Sequence, residues 1–65
     1  MTSHFKDLTH RELEILKELA QGLTYQEIAE ALFISENTVR THIRHVYKKL
    51  GVGNRTSALN KWLKG

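Results

Sequence analysis

SENTVRTHIRHVYKKL, the stretch from residue 35 to residue 50, decides the fold of this chain. Its apolar residues recur at the spacing of one helical face, so they predict a helix that packs against a core. These residues are Val39, Ile43, Val46 and Leu50. Ser35 is suited to cap the first turn, since its hydroxyl can accept a hydrogen bond from a free backbone amide. The stretch therefore predicts a buried helix around which the rest of the domain is built.

The opposite face of the same helix is polar. It carries Asn37, Thr41, Arg44 and Lys48, with Arg40 on one shoulder and His45 on the other. Hydrogen-bond donors, cations and one methyl-bearing side chain are groups that can read base edges in the major groove of DNA. A solvated polar surface would have the same composition, so the pattern alone leaves both interpretations open.

The net charge of +3 is divided unevenly along the chain. Residues 1–34 contain three Lys or Arg and six Asp or Glu, for a net charge of −3, whereas residues 35–65 contain seven and one, for +6. This asymmetry indicates a polyanionic partner, with nucleic acid first and an anionic membrane second. A membrane-binding helix needs large apolar side chains that are free to insert, and here those side chains are committed to the core.

Length and composition exclude several classes of protein. A chain of 65 residues forms one domain with a small core, because at this size only about 60% of the unfolded surface becomes buried. The absence of cysteine excludes a disulfide framework and a thiolate metal site, and it permits a reducing cytoplasm. No apolar run approaches the ~18 residues of a membrane span, and residues 1–7 lack the apolar segment of a signal peptide. We expect a loose lead-in over residues 1–7, from which Phe5 could pack onto the domain, and a soluble, cytoplasmic domain over residues 8–65.

Two helices are predicted before residue 35. Thr9 and Glu12 form a capping box, and the chain then runs without a breaker to Gly22, which predicts a first helix over residues 11–21. Glu12 projects from the apolar arc of this helix and therefore needs partners. The capping amide is one, and Arg55 is the cation we favour as another.

The second helix begins at another capping box, Thr24 with Glu27, and ends near Leu32. Leu23 and Ile28 occupy the positions of a hydrophobic staple at its start. Only residues 33–34 then precede the cap of the next helix. Two helices joined by three or four residues, the second with a polar outer face, form a helix-turn-helix.

A fourth helix is predicted over residues 55–64, after glycines that stop the third and with Asn54 as its cap. Its expected inner face consists of Thr56, Leu59, Trp62 and Leu63. Its expected outer face consists of Ser57, Asn60, Lys61 and Lys64.

Four segments, in this order and spacing, resemble the LuxR/GerE-type helix-turn-helix domain, the output domain of many bacterial response regulators and quorum sensors. The segments are LTHRELEIL at 8–16, EIAEALFIS at 27–35, TVRTHI at 38–43 and KKLGVGNRTSAL at 48–59. The last segment argues against region four of a sigma factor, whose TVRTHI-like stretch is similar but whose continuation differs. The resemblance implies an all-α, four-helix domain whose third helix lies in the major groove of double-stranded DNA.

The resemblance also implies roles for individual side chains. Arg40, Thr41 and Arg44 would read bases, since an arginine fork fits guanine O6 and N7 and the threonine methyl can contact a thymine methyl. Asn37 and His45 join the base-reading set from their places on the polar face. Phosphate contacts are expected from Tyr25, Gln26, Ser35, Thr38, His42, Lys48 and Lys49.

Two departures from the family pattern concern binding strength and assembly. Many relatives carry Asn-Lys where this chain has Tyr25-Gln26, so one electrostatic phosphate contact is weakened. Helix four often supplies an apolar dimer contact in relatives, whereas lysines on its expected outer face would repel each other across a two-fold axis. We predict a free monomer and disfavour a dimer contact on DNA through residues 55–64.

Two other functional classes fit the sequence less well. A protein-interaction module could use the polar helix to bind an acidic partner, and binding of duplex DNA at low salt would discriminate the two. An enzyme is the weakest alternative: His42 and His45 have no carboxylate following at ligand spacing, and no hydroxyl has the base and acid of a triad. We expect no catalytic residue, metal or cofactor. The lack of proline and cysteine and the repeated capping boxes fit a natural regulator and a redesigned scaffold alike.

Overall fold

Four α-helices make up the domain in the computed structural model, which describes residues 7–64. They are α1 (His10–Ala20), α2 (Tyr25–Leu32), α3 (Glu36–Leu50) and α4 (Arg55–Lys64). The all-α, four-helix class predicted from the sequence is confirmed. The start and end of α1 each lie one residue earlier than predicted, and the lead-in residues 1–6, Phe5 included, lie outside the described residues. Within residues 7–64 no helix has the length and apolarity to cross a membrane.

The predicted caps form at all four helix starts. In α1 the Thr9 hydroxyl accepts from the Glu12 amide at 3.1 Å, and the Glu12 carboxylate accepts from the Thr9 amide at 3.0 Å. Thr24 and Glu27 make the same reciprocal pair before α2. The Ser35 hydroxyl accepts from the Thr38 amide at 3.0 Å, and the Asn54 side chain accepts from the Ser57 amide at 2.8 Å. Each start is therefore specified by side chains close to it in sequence.

The turn between α2 and α3 depends on a left-handed residue. Phe33, directly after the last residue of α2, has φ of 58° and ψ of 42°. Glycine is the residue most often found in this left-handed conformation at the end of a helix. It reverses the chain so that the Ile34 amide donates to the Ala29 carbonyl at 3.0 Å, and Ser35 follows directly as the cap of α3. The Phe33 ring is 94% exposed, so packing contributes little to offset the backbone strain.

α3 is the central helix of the domain, because its apolar stripe serves two clusters. The first joins α1, α2 and α3 and consists of Ile15, Leu19, Ile28, Ala29, Val39 and Ile43. The second joins α1, α3 and α4 and consists of Leu16, Val46, Leu50 and Ala58. Every residue of the predicted stripe of α3 is buried. The helix is thus fixed in rotation and tilt by contacts from the other three.

The predicted inner face of α4 was partly wrong. Ala58 is the fully buried residue of this helix, Leu59 and Trp62 pack beside it as expected, but Leu63 is 79% exposed and Thr56 is exposed. Of the residues predicted to face outward, Ser57 and Lys61 are half-buried. The small side chain of Ala58 is what allows α4 to approach the core closely, and a pattern weighted by large apolar residues misses it.

Candidate nucleic-acid interface

The outward face of α3 is free for a ligand. Asn37, Thr41, Arg44 and Lys48 are all exposed, as the periodicity predicts. The Thr41 hydroxyl donates its proton to the Asn37 carbonyl at 3.1 Å, so the side chain presents a methyl group and an oxygen that can only accept. This face combines an amide, a methyl group and two cations along one side of the helix, and its exposure follows from the burial of the opposite side.

One shoulder of this face is bordered by α2. There Tyr25, Arg40, Ile43, Arg44 and Tyr47 line an open cleft of about 190 Å³. The Arg40 guanidinium carbon lies 5.7 Å from the centroid of the Tyr25 ring, within the range of a cation–π contact. Its Nη2 also lies 3.4 Å from a carboxylate oxygen of Glu36. Arg40 is therefore held between an aromatic ring and an acid at the edge of the polar face.

Tyr47 is the polar residue of this cleft that the sequence-based site omitted. Burial, followed by its interaction with Tyr25, raises the pKa of Tyr47 to about 12. The phenol accordingly stays neutral, and the cleft owes its positive charge to the two arginines. The signal was present in the spacing, because Arg40, Arg44 and Tyr47 follow one another at i, i+4 and i+7 and so share a flank of the helix.

The other shoulder is bordered by α1 and contains a buried carboxylate. The Glu12 side chain is 5% exposed; its Oε1 accepts from Lys49 Nζ at 2.7 Å and from the Thr9 amide at 3.0 Å. His45 Nδ1 lies 3.8 Å from its other oxygen. The prediction that Arg55 pairs with Glu12 was wrong. Arg55 begins α4 beside the opposite end of α1, where it donates to the Leu19 carbonyl at 3.3 Å.

Burial by itself raises the pKa of the Glu12 carboxyl, yet the net shift is downward. The hydrogen bonds from Lys49 and the Thr9 amide, with the nearby charges of Lys49 and His45, outweigh burial and lower the pKa below its ordinary value of 4.5. Glu12 is therefore ionised at neutral pH and ties the last turn of α3 to the first turn of α1.

The residues expected to contact phosphate are spread over three places. Ser35 and Thr38 share a hydrogen bond of 2.8 Å between their hydroxyls at the start of α3. Tyr25 and Gln26 open α2, with Gln26 exposed. His42 and Lys49 lie toward α1, and the buried His42 Nδ1 has no hydrogen-bond partner among the described residues.

Lys48 and Lys49 are neighbours with different surroundings. Lys48 makes no ion pair within residues 7–64, whereas the ammonium of Lys49 is engaged by Glu12. Among the same residues no group of three or more His, Asp or Glu is arranged to hold a metal ion.

Comparison with known proteins connects this site to a family. Residues 6–61 match the family model GerE, described as bacterial regulatory proteins, luxR family. The CsgBAC operon transcriptional regulatory protein of Escherichia coli K12 is 57% identical over 53 residues, a match that covers 82% of this chain and 24% of that protein. The nitrate/nitrite response regulator protein NarP of the same organism is 54% identical over 54 residues, covering 83% and 25%.

A solved structure agrees with the sequence relatives. The response regulator ChrA of a heme-sensing two-component system superposes with a TM-score of 0.83 at 53% identity, covering 88% of this chain and 28% of that one. This chain spans about a quarter of the length of the curated relatives described above. The family match extends over most of the chain and all four helices of the domain except the end of α4. The chain belongs to the luxR family of bacterial regulatory proteins.

Proposed function

We propose that this chain binds double-stranded DNA sequence-specifically by inserting α3 into the major groove, as the DNA-contacting part of a bacterial transcription regulator. The observation that carries the proposal is the two-sidedness of α3. Its apolar stripe from Val39 to Leu50 is buried in the core, whereas the opposite side is polar, cationic and exposed. A groove about 12 Å wide admits one helix with such a face.

Base reading is assigned to the outward face and its shoulders. Arg44 is exposed and free of ion pairs within residues 7–64, so its fork is available to guanine O6 and N7. Thr41 offers its methyl group to thymine, and its hydroxyl has no proton to spare for a base because it donates to the backbone. Arg40 contributes a second fork. Asn37 extends the face at the start of α3, and His45, more than half exposed, adds a ring on the side that borders α1.

Phosphate contacts are assigned to residues around this face. Lys48 is the strongest candidate, since no carboxylate of the described residues neutralises its charge. Lys49 keeps two of its three N–H donors beyond the one given to Glu12, although that carboxylate compensates its charge. Hydroxyl and amide contacts come from the exposed ends of α2 and α3. Those residues are the exposed Gln26, Ser35 and Thr38 and the half-buried Tyr25; the half-buried His42, farther along α3, adds an imidazole nitrogen.

The test is a selection from random duplex DNA at near-physiological salt, followed by titration of the winning site. Arg44→Ala is expected to cost about 1–3 kcal/mol on that site and to relax the preference at one base pair. Lys48→Ala is the matched control, because it removes one cation from the same face. It is expected to weaken all duplexes alike and to reduce the slope of binding against salt by about one unit.

Two outcomes would contradict the proposal. Failure to enrich any motif, despite binding at low salt, would leave nonspecific electrostatics alone and favour an acidic protein partner. A uniform loss of affinity for Arg44→Ala on every duplex would identify Arg44 as a phosphate contact and refute its base-reading role.

We further infer a cytoplasmic location in bacteria and no catalytic activity, since the relatives described above are transcriptional and response regulators. We also infer a monomer in the absence of DNA. The exposed face of α4 consists of Thr56, Asn60, Leu63 and Lys64, with Leu63 as its one large apolar residue. A single leucine beside a lysine offers too little apolar area for a stable interface.

A further inference from the structure

We propose that Tyr25 is a positioning residue for base recognition: its ring holds the Arg40 guanidinium at the edge of the outward face of α3. The proposal rests on the proposed DNA-binding function and deepens it. It assigns to a residue of α2 an influence on specificity that is separate from any phosphate contact of its hydroxyl.

The first step is the geometry around Arg40. Its side chain is 50% exposed, yet the guanidinium has neighbours on two sides. The Tyr25 ring centroid lies 5.7 Å from its central carbon, and a Glu36 oxygen lies 3.4 Å from Nη2. An arginine without such neighbours samples many rotamers, and that freedom is lost when it binds. Arg40 has given up part of this freedom before DNA arrives.

The second step is the rigidity of the ring itself. Tyr25 is the first residue of α2, directly after the Thr24 cap, so its backbone is fixed by the capping box. Its side chain packs against the first core cluster and lines the cleft together with Tyr47. Interaction with Tyr25 is also one of the causes, after burial, that raise the pKa of Tyr47 to about 12. A ring held in this way can restrict what lies on it.

The third step separates the ring from the hydroxyl. A phosphate contact through the hydroxyl would act on every sequence equally, because phosphates carry no base identity. Ordering of Arg40 acts only where Arg40 reads a base pair, because a fork must be aligned to bind guanine with two hydrogen bonds. If Tyr25 orders Arg40, loss of its ring reduces sequence preference; if it contacts only phosphate, loss of its hydroxyl weakens binding to every sequence equally.

The experiment compares two duplexes, the selected site and the same site changed at the base pair whose preference is lost in Arg40→Ala. The readout is the ratio of the two Kd values. Tyr25→Leu keeps an apolar side chain but removes the aromatic face, and it is expected to reduce this ratio about fivefold. Tyr25→Phe is expected to keep the ratio within about twofold of wild type, because removing the hydroxyl weakens phosphate binding equally on both duplexes.

Two controls exclude a structural effect. Gln26→Ala changes the adjacent exposed residue of α2 and is expected to leave the ratio unchanged. Titrations are made below the unfolding temperature of Tyr25→Leu, as recorded by circular dichroism.

Nuclear magnetic resonance of the free protein tests the ring contact directly. An upfield ring-current shift of the Arg40 side-chain protons is expected in wild type and in Tyr25→Phe, and it is expected to disappear in Tyr25→Leu.

The proposal is overturned if Tyr25→Leu leaves the ratio at the Arg40 base pair unchanged, if Tyr25→Phe reduces the ratio as much as Tyr25→Leu, or if the ring-current shift is absent in wild type. It is also overturned if Arg40→Ala weakens all duplexes equally. The first three results leave the proposed DNA binding intact, and the fourth removes only the base-reading role of Arg40; sequence-specific binding itself fails if wild type selects no motif.

Discussion

Replacing Lys49 by methionine is expected to destabilise the domain by about 2 kcal/mol. Methionine keeps an unbranched apolar stem and a good helix propensity, so the change removes mainly the ammonium that donates to Glu12 at 2.7 Å. What remains is a carboxylate whose side chain is only 5% exposed, with one amide hydrogen bond and a histidine at 3.8 Å. The destabilisation comes from this poorly compensated charge.

The magnitude follows from two limits. Removing one partner of a fully buried ion pair costs about 3–5 kcal/mol, and a hydrogen bond to a charged group is worth about 1.5–3 kcal/mol. The smaller range, that of a single hydrogen bond to a charged group, applies more closely here. Lys49 is about one-third exposed, and the Glu12 carboxylate keeps its hydrogen bond from the Thr9 amide. A domain of 65 residues has a total stability of about 3–10 kcal/mol, so a loss of about 2 kcal/mol lowers Tm by roughly 8–16 °C.

The assay is urea unfolding followed by circular dichroism at neutral pH, with Lys48→Met as the matched control. Lys48 is adjacent, exposed and outside the Glu12 network, so its replacement is expected to change stability by no more than about 0.5 kcal/mol. In the Glu12→Gln background, where no charge is buried, Lys49→Met is expected to cost about 1 kcal/mol less than in wild type. The glutamine preserves the capping box. Equal losses for Lys48→Met and Lys49→Met would refute the reasoning, and so would a cost of Lys49→Met that does not depend on residue 12.

Three further predictions concern strain, acid and assembly. Phe33→Gly is expected to raise the free energy of unfolding, measured in urea, by about 1 kcal/mol, because glycine adopts the left-handed conformation freely. Phe33→Ala keeps a Cβ and is expected to give no comparable increase in stability. Equal increases for the two variants would argue against backbone strain at this position. Folding lowers the pKa of Glu12, so its stabilisation exists above the ordinary value of 4.5 and is lost as pH falls through the lower folded value. Wild type is therefore expected to lose stability more steeply than Glu12→Gln below about pH 5 in thermal melts, whereas parallel profiles would contradict the pKa assignment. Sedimentation equilibrium without DNA is expected to give the monomer mass for wild type and for Leu63→Asp, and a dimer mass for wild type that the substitution abolishes would show that α4 associates.

Local signals in the sequence were sufficient to place the helix starts to within one residue. Thr9, Thr24 and Ser35 specify the starts of α1 to α3 through hydrogen bonds that span three residues, so no knowledge of tertiary structure was needed. The exposed face of α3 was predictable for a similar reason, because one helical period relates its residues to the buried stripe. The roles of these residues on DNA stay predictions.

Features that depend on how helices cross were not predictable in the same way. The partner of Glu12 is set by which turn of α3 passes over the start of α1, and Lys49 and Arg55 are equally cationic in sequence. The inner face of α4 is set by its close approach at Ala58, a residue with a weak hydrophobic signal. The cleft between Tyr25 and Tyr47 joins residues of two helices, so neither helical pattern contained it.

The outward face of α3 is mechanically independent of the scaffold that presents it. Within residues 7–64, Asn37, Thr41 and Lys48 make no hydrogen bond or ion pair outside their own helix. Substitutions at these positions therefore have no tertiary partner to disturb, and the free energy of folding places little restriction on which side chains stand there. Under the proposed function, the preferred DNA sequence can therefore be altered by substitutions on this face without changing the residues of α1 and α2 that pack against the helix.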